Sequence, residues 1–294
     1  MKSKKILLVG GCGFIGHNLA LLLKKKSHEV FVVDSLGVNN ILTFTDSDIK
    51  NKKLYTSILN NRVDLLNENE VKLAIQDARD YQAISNLYAK IDPDIIVHLA
   101  AVSHANKSNK DPHSTFDHSL RTLENTLDFA KTNKTHVIYM SSSMVYGDFE
   151  SGEVDEKSQC EPIGIYGSLK LSGEHIIKAY NQVFGVPYSI IRPSALYGER
   201  CVSRRVGQIF IENAIQGLDI TINGNGEEKL DFTYIEDLIS GIALCCENEK
   251  AKNEIFNITF GHARKINELL EILKTEFPKI KTIFNKKEDF VPER

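Results

Sequence analysis

The run Gly10-Gly11-Cys12-Gly13-Phe14-Ile15-Gly16 constrains this chain more than any other stretch, because of what flanks it. Before it stands a short continuous apolar run, Ile6 to Val9, of the kind found in a strand covered on both faces. After it, from Ile15 to Lys25, the apolar residues fall at helical spacing. A strand, a glycine turn and a helix in that order make a cradle for a diphosphate. Gly10 permits the tight turn, Gly13 lets phosphate approach the backbone beside Phe14 and Ile15, and Gly16 lets helix pack closely on strand. Asp34 ends the next apolar run, Val30 to Asp34, about 20 residues downstream, where a carboxylate accepts hydrogen bonds from ribose hydroxyls and repels a 2′-phosphate. The expected cofactor is therefore NAD rather than NADP.

The alternation of strand and helix continues with Val71 to Ile75, Ile95 to Ala100, Leu120 to Lys131 and Val137 to Ser141. That rhythm predicts an α/β fold with a doubly wound parallel sheet of Rossmann type. Residues 38–66, rich in Asn, Lys, Asp and Thr, break the rhythm and read as an insertion with a short helix. After Val186 the pattern is mixed, with strands near Tyr188 to Ile191, Asp219 to Ile222 and Ile255 to Ile258 and helices near Val206 to Gln216, Ile235 to Glu247 and Ile266 to Phe277. The expected division is a nucleotide-binding domain over 1–185 and a smaller, interleaved α/β substrate domain over 186–294, with some segments returning to the first.

Charge excludes some classes of partner. A net charge of −3 from interspersed signs leaves no basic footprint for nucleic acid, so a small molecule is the expected partner. The apolar run after Met1-Lys2-Ser3-Lys4-Lys5 is too short for a signal peptide, and no run approaches the roughly 18 residues that span a membrane. Cys12, Cys160, Cys201, Cys245 and Cys246 show neither disulfide framework nor metal spacing, which fits a reducing cytoplasm and no metal site.

Tyr166 and Lys170 stand four apart, on one face of a helix. A cation beside a phenol favours the phenolate, so Tyr166 can serve as a general base while Lys170 also holds the nicotinamide ribose. The strand Val137 to Met140 delivers Ser141, Ser142 and Ser143 at its C-terminal end, where open α/β sheets bind ligands, and a hydroxyl there can bond a substrate oxygen.

Several further segments occur in order: Asp77-Ala78-Arg79-Asp80, His98-Leu99-Ala100-Ala101, Ser142 to Gly147, Arg192-Pro193-Ser194-Ala195-Leu196-Tyr197-Gly198 and Asp231-Phe232-Thr233-Tyr234-Ile235-Glu236-Asp237. With the glycine turn, Asp34 and the Tyr-Lys pair, they make a chain that resembles, over essentially its whole length, the extended short-chain dehydrogenase/reductase family, specifically its NAD-dependent sugar-nucleotide epimerases and dehydratases. The resemblance implies that Asp77 and Ala78 face the adenine, that Leu99, Ala100 and Ala101 line the cofactor cleft, that Pro193 lies near the nicotinamide, and that Ser142 is the serine partnering Tyr166. It also implies a homo-oligomer, paired through the helix of Tyr166 and Lys170 and the one after Asp111-Pro112.

The resemblance further implies a substrate that is a GDP-, UDP- or dTDP-linked sugar, oxidised at its C4 hydroxyl by a 4-epimerase or a net 4-dehydrogenase. Dehydratases of the family typically carry an acidic pair where this chain has Ser143 and Met144, which argues against loss of water. Ser103 and His104 match the family's sugar pocket, although a capping or buried histidine is the alternative. Leu230 stands where relatives often have Arg, so Arg200, Arg204 and Arg205 are candidates for a substitute diphosphate clamp, against a plain solvated loop. A rival class, an NAD-binding regulatory protein without catalysis, keeps the fold and loses the reaction.

Overall fold

The computed structural model describes residues 3–45, 50–103, 105–149 and 152–285. Its frame is a seven-stranded parallel sheet built from β1 (Lys5–Val9), β2 (Glu29–Asp34), β3 (Lys72–Ile75), β4 (Ile95–His98), β5 (His136–Met140), β6 (Tyr188–Pro193) and a seventh strand, Glu254–Ile258. The spatial order is seventh, β6, β5, β4, β1, β2, β3, so the chain winds outward in one direction from β1 and then in the other from β4. The doubly wound expectation is met.

Alternate residues of each strand feed opposite cores. On one face Ile6, Leu8, Val30 and Val32 pack with α1 (Phe14–Lys25), with α10 (Ile235–Glu247) through Leu238 and Ile242, and with Leu66 of α3 (Lys52–Glu68). On the other face Leu7, Val9 and Ile96 meet Ile84 and Tyr88 of α4 (Tyr81–Ile91). Beside them Val137 and Tyr139 meet α7 (Thr122–Asn133) and Ile177 of α8 (Gly164–Phe184). Each full burial of such an aliphatic side chain is worth about 1.5–3 kcal/mol, which is why period-two strands bury both faces here.

Residues 38–66 correct the expectation of an insertion with a short helix. After α2 (Ile41–Thr45), most of the stretch forms the 17-residue α3, the crossover between β2 and β3. Tyr55, Leu59, Arg62 and Leu66 form its buried stripe, and an arginine in that stripe among Asn and Lys neighbours disguises the helical period.

Two shorter helices, α5 (Ala105–Lys110) and α6 (Pro112–Phe116), follow β4. Beyond β6 the chain builds a second small core, in which Phe210 of α9 (Val206–Ile215) packs with Ile220, Ile222 and with Leu270 and Leu273 of α11 (Ile266–Glu276). Two-stranded ladders pair Ile220–Asn223 with Thr282–Asn285 and Lys229–Leu230 with Arg264–Lys265.

Candidate active site

The glycine turn is fixed to the sheet by the Gly10 N–H, which donates to the Val33 carbonyl at 2.8 Å. Gly10 has φ +83°, and a Cβ there would lie 2.9 Å from the Ala100 nitrogen, so only glycine lets the turn touch the segment after β4. Gly13 caps α1 without any side-chain cap, and the first turn, Phe14, Ile15 and Gly16, carries no acid. The N–H groups of that turn are left for an anion. Asp34 accepts from the Cys12 N–H at 2.9 Å and the Leu36 N–H at 2.7 Å, one per carboxylate oxygen, leaving a second lone pair on each. Burial pushes its carboxyl up while those N–H groups and Arg62 oppose the shift. This cradle fits the pyrophosphate and ribose of a dinucleotide.

His17 closes the same turn. Its Nδ1 lies 2.9 Å from the Gly13 carbonyl and must carry the proton, so Nε2 accepts from Arg200 Nε at 3.0 Å. Burial and two nearby guanidiniums lower its pKa to about 3, which keeps the ring neutral.

Tyr166 and Lys170 lie on α8 with 8% and 5% of their surface exposed. Lys170 Nζ donates to the Met140 carbonyl at 2.6 Å and stands 5.9 Å from the centre of the Tyr166 ring. Desolvation pushes this ammonium down to about 8, with Glu174 one turn along the helix opposing, so it remains largely charged at neutral pH. Glu174 and Arg192 form a buried pair at 2.6 Å behind the site, and Ser141 Oγ donates to Glu174 at 2.5 Å. Ser142 Oγ accepts from the Met144 N–H at 3.2 Å, starting the 3-10 turn Ser143–Tyr146. A Cβ on Gly167 would come 2.7 Å from the Met144 carbonyl, and its absence lets that turn lie against the helix beside Tyr166.

A cleft of about 1310 Å³ opens over these groups. Ile15, Leu99, Ala101 and Ser103 line it from the strand ends of the first half, Ser142, Ser143, Tyr166, Lys170 and Pro193 from its floor, and Arg200, Arg204 and Arg205 from the second half. Asp77 lines a separate cavity of about 780 Å³, where Arg79 holds its carboxyl below the usual range, while Ala78 and Ala100 are packed into the core beneath. His104 lies outside the described residues.

The three arginines do not act from one place. Arg200 turns to α1, through His17 and through Asn18 Oδ1 at 3.2 Å, whereas Arg205 reaches across the cleft to the Ser103 carbonyl at 3.1 Å. The second-half wall also contains Tyr197 and Phe232, from two of the segments quoted above, and Phe260, His262 and Arg264, which the sequence reading missed. Phe260 and His262 follow the C-terminal end of the seventh strand, so the strand-end rule could have found them. Arg264 sits directly across the small ladder from Leu230.

The cleft's three glutamates are all engaged: Glu199 by the Tyr234 hydroxyl, Glu212 by Tyr55 and Gln208, Glu268 by Arg264 and the Lys265 N–H. Among the described residues no cluster of His, Cys, Asp and Glu could hold a metal ion, and no helix is long and apolar enough to cross a membrane.

The model of the NAD dependent epimerase/dehydratase family matches residues 6–259. The chain belongs to that family. Its enzymes use NAD, so the cofactor read from the glycine turn and Asp34 stands, as does the resemblance drawn from the eight segments. An uncharacterised UDP-glucose epimerase of Bacillus subtilis (strain 168) is 29% identical over 273 residues, covering 92% of this chain and 81% of that one. A dTDP-D-glucose 4,6-dehydratase of Dictyostelium discoideum is 28% identical over 87% of this chain and 58% of its own length. The crystal structure of UDP-glucuronic acid 4-epimerase from Bacillus cereus, with UDP-glucuronic acid and NAD, superimposes with TM-score 0.84 at 27% identity, covering 99% of this chain and 88% of that one.

Proposed function

We propose that this protein is a nucleotide-sugar 4-epimerase that works through a 4-keto sugar on a UDP-linked hexose. The observation that carries this reading is the buried Tyr166–Lys170 pair on the cleft floor, where every glutamate that lines the cleft among the described residues is already hydrogen-bonded. The relatives that act on UDP-sugars support the choice of nucleotide. NAD supplies the hydride acceptor and donor. In the oxidation, the Tyr166 oxygen takes the proton of the C4 hydroxyl, and Lys170, held on the Met140 carbonyl, keeps a positive charge beside it. Ser142 and Ser143 offer hydroxyls to the sugar. Asp34 holds the adenosine ribose, Asp77 and Ala78 the adenine side, and Leu99, Ala101 and Pro193 the walls near the nicotinamide.

The second small core, with the segments around it, is the sugar-nucleotide domain in this reading. Arg204 and Arg205 hold the substrate diphosphate, joined by Arg264, which occupies the place across the ladder from Leu230. Ser103 belongs to the sugar pocket. A homo-oligomer fits as well, since α8 exposes Val183, Phe184 and Ile165 and α6 exposes Phe116.

Incubation with UDP-glucose, UDP-glucuronic acid and UDP-N-acetylglucosamine, followed by NMR, tests the proposal. The expected product is the C4 epimer without net NADH. Stoichiometric NADH and a released ketone would make the protein a net 4-dehydrogenase, and a 6-deoxy product would refute the argument from the engaged glutamates.

A further inference from the structure

Two guanidiniums converge on the glycine turn without a counter-charge in contact. Arg62, only 1% exposed, points from the crossover helix α3 and donates through both Nε, at 3.0 Å, and Nη2 to the carbonyl of Arg200. Arg200 has a left-handed backbone, φ +62°, which the two donors hold in place. Its own Nε and Nη2 are spent on His17 and Asn18, in the second turn of α1, and its Nη1 has no partner among the described residues. The side chains it grips fold back on the helix start: His17 bonds the Gly13 carbonyl and Asn18 donates to the Phe14 carbonyl at 2.9 Å.

Among the described residues, the hydrogen-bond partners of both arginines are neutral: a carbonyl, an imidazole and an amide. Burial lowers the pKa of Arg62 and the Arg200 charge adds to that, while His17 is held neutral by burial first and then by both guanidiniums. Asp34, already shared by two N–H groups, is the acid whose charge acts on Arg62, and Glu199, which accepts from the Tyr234 hydroxyl, is the one whose charge interacts with Arg200, neither of them bonded to a guanidinium among the described residues. Two like charges at the positive end of a helix dipole, next to an uncapped first turn, form an arrangement that an anion completes.

We propose that Arg200 binds the cofactor's pyrophosphate, not the substrate's, and that Arg62 is a positioning residue that seats the Arg200 segment on the cofactor half for that purpose. This gives α3 a task in the site and leaves the sugar diphosphate to residues further along the cleft. The proposal rests on NAD use alone and is independent of which sugar the protein takes.

Dissociation constants for NAD, ADP-ribose and UDP, measured by calorimetry on protein freed of carried-over nucleotide, test it. Arg200→Gln is expected to weaken NAD and ADP-ribose alike by about tenfold and to leave UDP unchanged. Arg62→Met is expected to weaken NAD, Arg62→Lys to recover part of the loss, and Arg62→Met added to Arg200→Gln to cost no further NAD affinity. UDP binding lost with NAD retained, NAD affinity unchanged in Arg200→Gln, or additive losses in the double variant would each overturn the proposal. Should Arg62→Met fail to fold, Arg200→Gln alone decides, because its replaced side chain lines the open cleft.

Discussion

The two walls of the cleft are made differently. On the cofactor side the frame comes mainly from backbone, a glycine turn pinned to Val33, an uncapped helix start and strand ends that all face the same way, with Asp34 and Arg200 added as side chains. On the side proposed for the substrate the lining comes from side chains on separate segments, α9, the Lys229–Leu230 and Arg264–Lys265 ladder, and the loop after the seventh strand. A backbone-built wall tolerates little substitution where it is tight and is indifferent to it elsewhere. A side-chain wall can be altered one contact at a time, which suits a family whose members share a cofactor and differ in sugar.

The contrast is open to direct attack. Tyr166→Phe removes the phenol proposed as the proton acceptor and is expected to lower turnover by about 10³-fold or more while NAD still binds, read by steady-state kinetics and calorimetry. Retained turnover would move the chemistry off the floor altogether. Gly10→Ala strikes the backbone-built wall; a side chain at φ +83° facing Ala100 is expected to lower stability by about 1–3 kcal/mol and to weaken NAD, seen in denaturant melts with and without cofactor.

Acid should loosen the fold through three buried histidines, His17 at the glycine turn, His98 at the carboxyl end of β4 and His136 at the opposite end of β5. His17 and His98 have folded pKa values of about 3 and His136 about 4, all below the ordinary 6.5. The folded state therefore binds fewer protons than the unfolded one, so their contribution is intact above pH 6.5 and is lost as pH falls toward 3 to 4. Each group costs about 1.4 kcal/mol per pH unit inside that window. Denaturant melts between pH 7 and pH 5, on the order of two units apart, should show the loss, and a flat profile would contradict the burial.

On the alkaline side Lys170 sets a different limit. Its pKa falls from 10.5 to about 8 on folding, so deprotonation does not cost stability, but the ammonium beside Tyr166 disappears above that pH and activity should fall with it. Lys170→Arg, whose charge persists, should extend the alkaline limb of whatever activity it retains. The smallest effect belongs to the side-chain wall: Arg264→Ala is expected to raise the KM for the UDP-sugar by about tenfold with kcat little changed, since it removes one charged contact.

How much of this was legible in the sequence follows the same divide. Gly10 to Gly16, Asp34 and the Tyr166–Lys170 pair are local patterns whose geometry is dictated by one turn or one helix, and the structure puts them where that geometry requires. Ser142 was placed by the strand-end rule and does line the cleft. Arg62 escaped because a basic residue among Asn and Lys looks solvated until the helix that buries it is known. Arg264 escaped because its relation to Leu230 is a cross-strand register, set by packing between residues 34 apart. The grouping of Arg200, Arg204 and Arg205 by proximity in sequence misses that a left-handed residue turns the first away from the others.

The excursions of the chain beyond β6 carry one more consequence. The polypeptide leaves the sheet after Pro193, comes back as α10 to lie on α1, re-enters the sheet at Glu254–Ile258 and departs again for α11. The outer part is thus sutured to the frame at several points, not hung from a single hinge. A specificity graft from a relative would need to splice both departures together, each at the carboxyl rim of a strand, and a one-cut fusion would leave part of the proposed sugar wall behind.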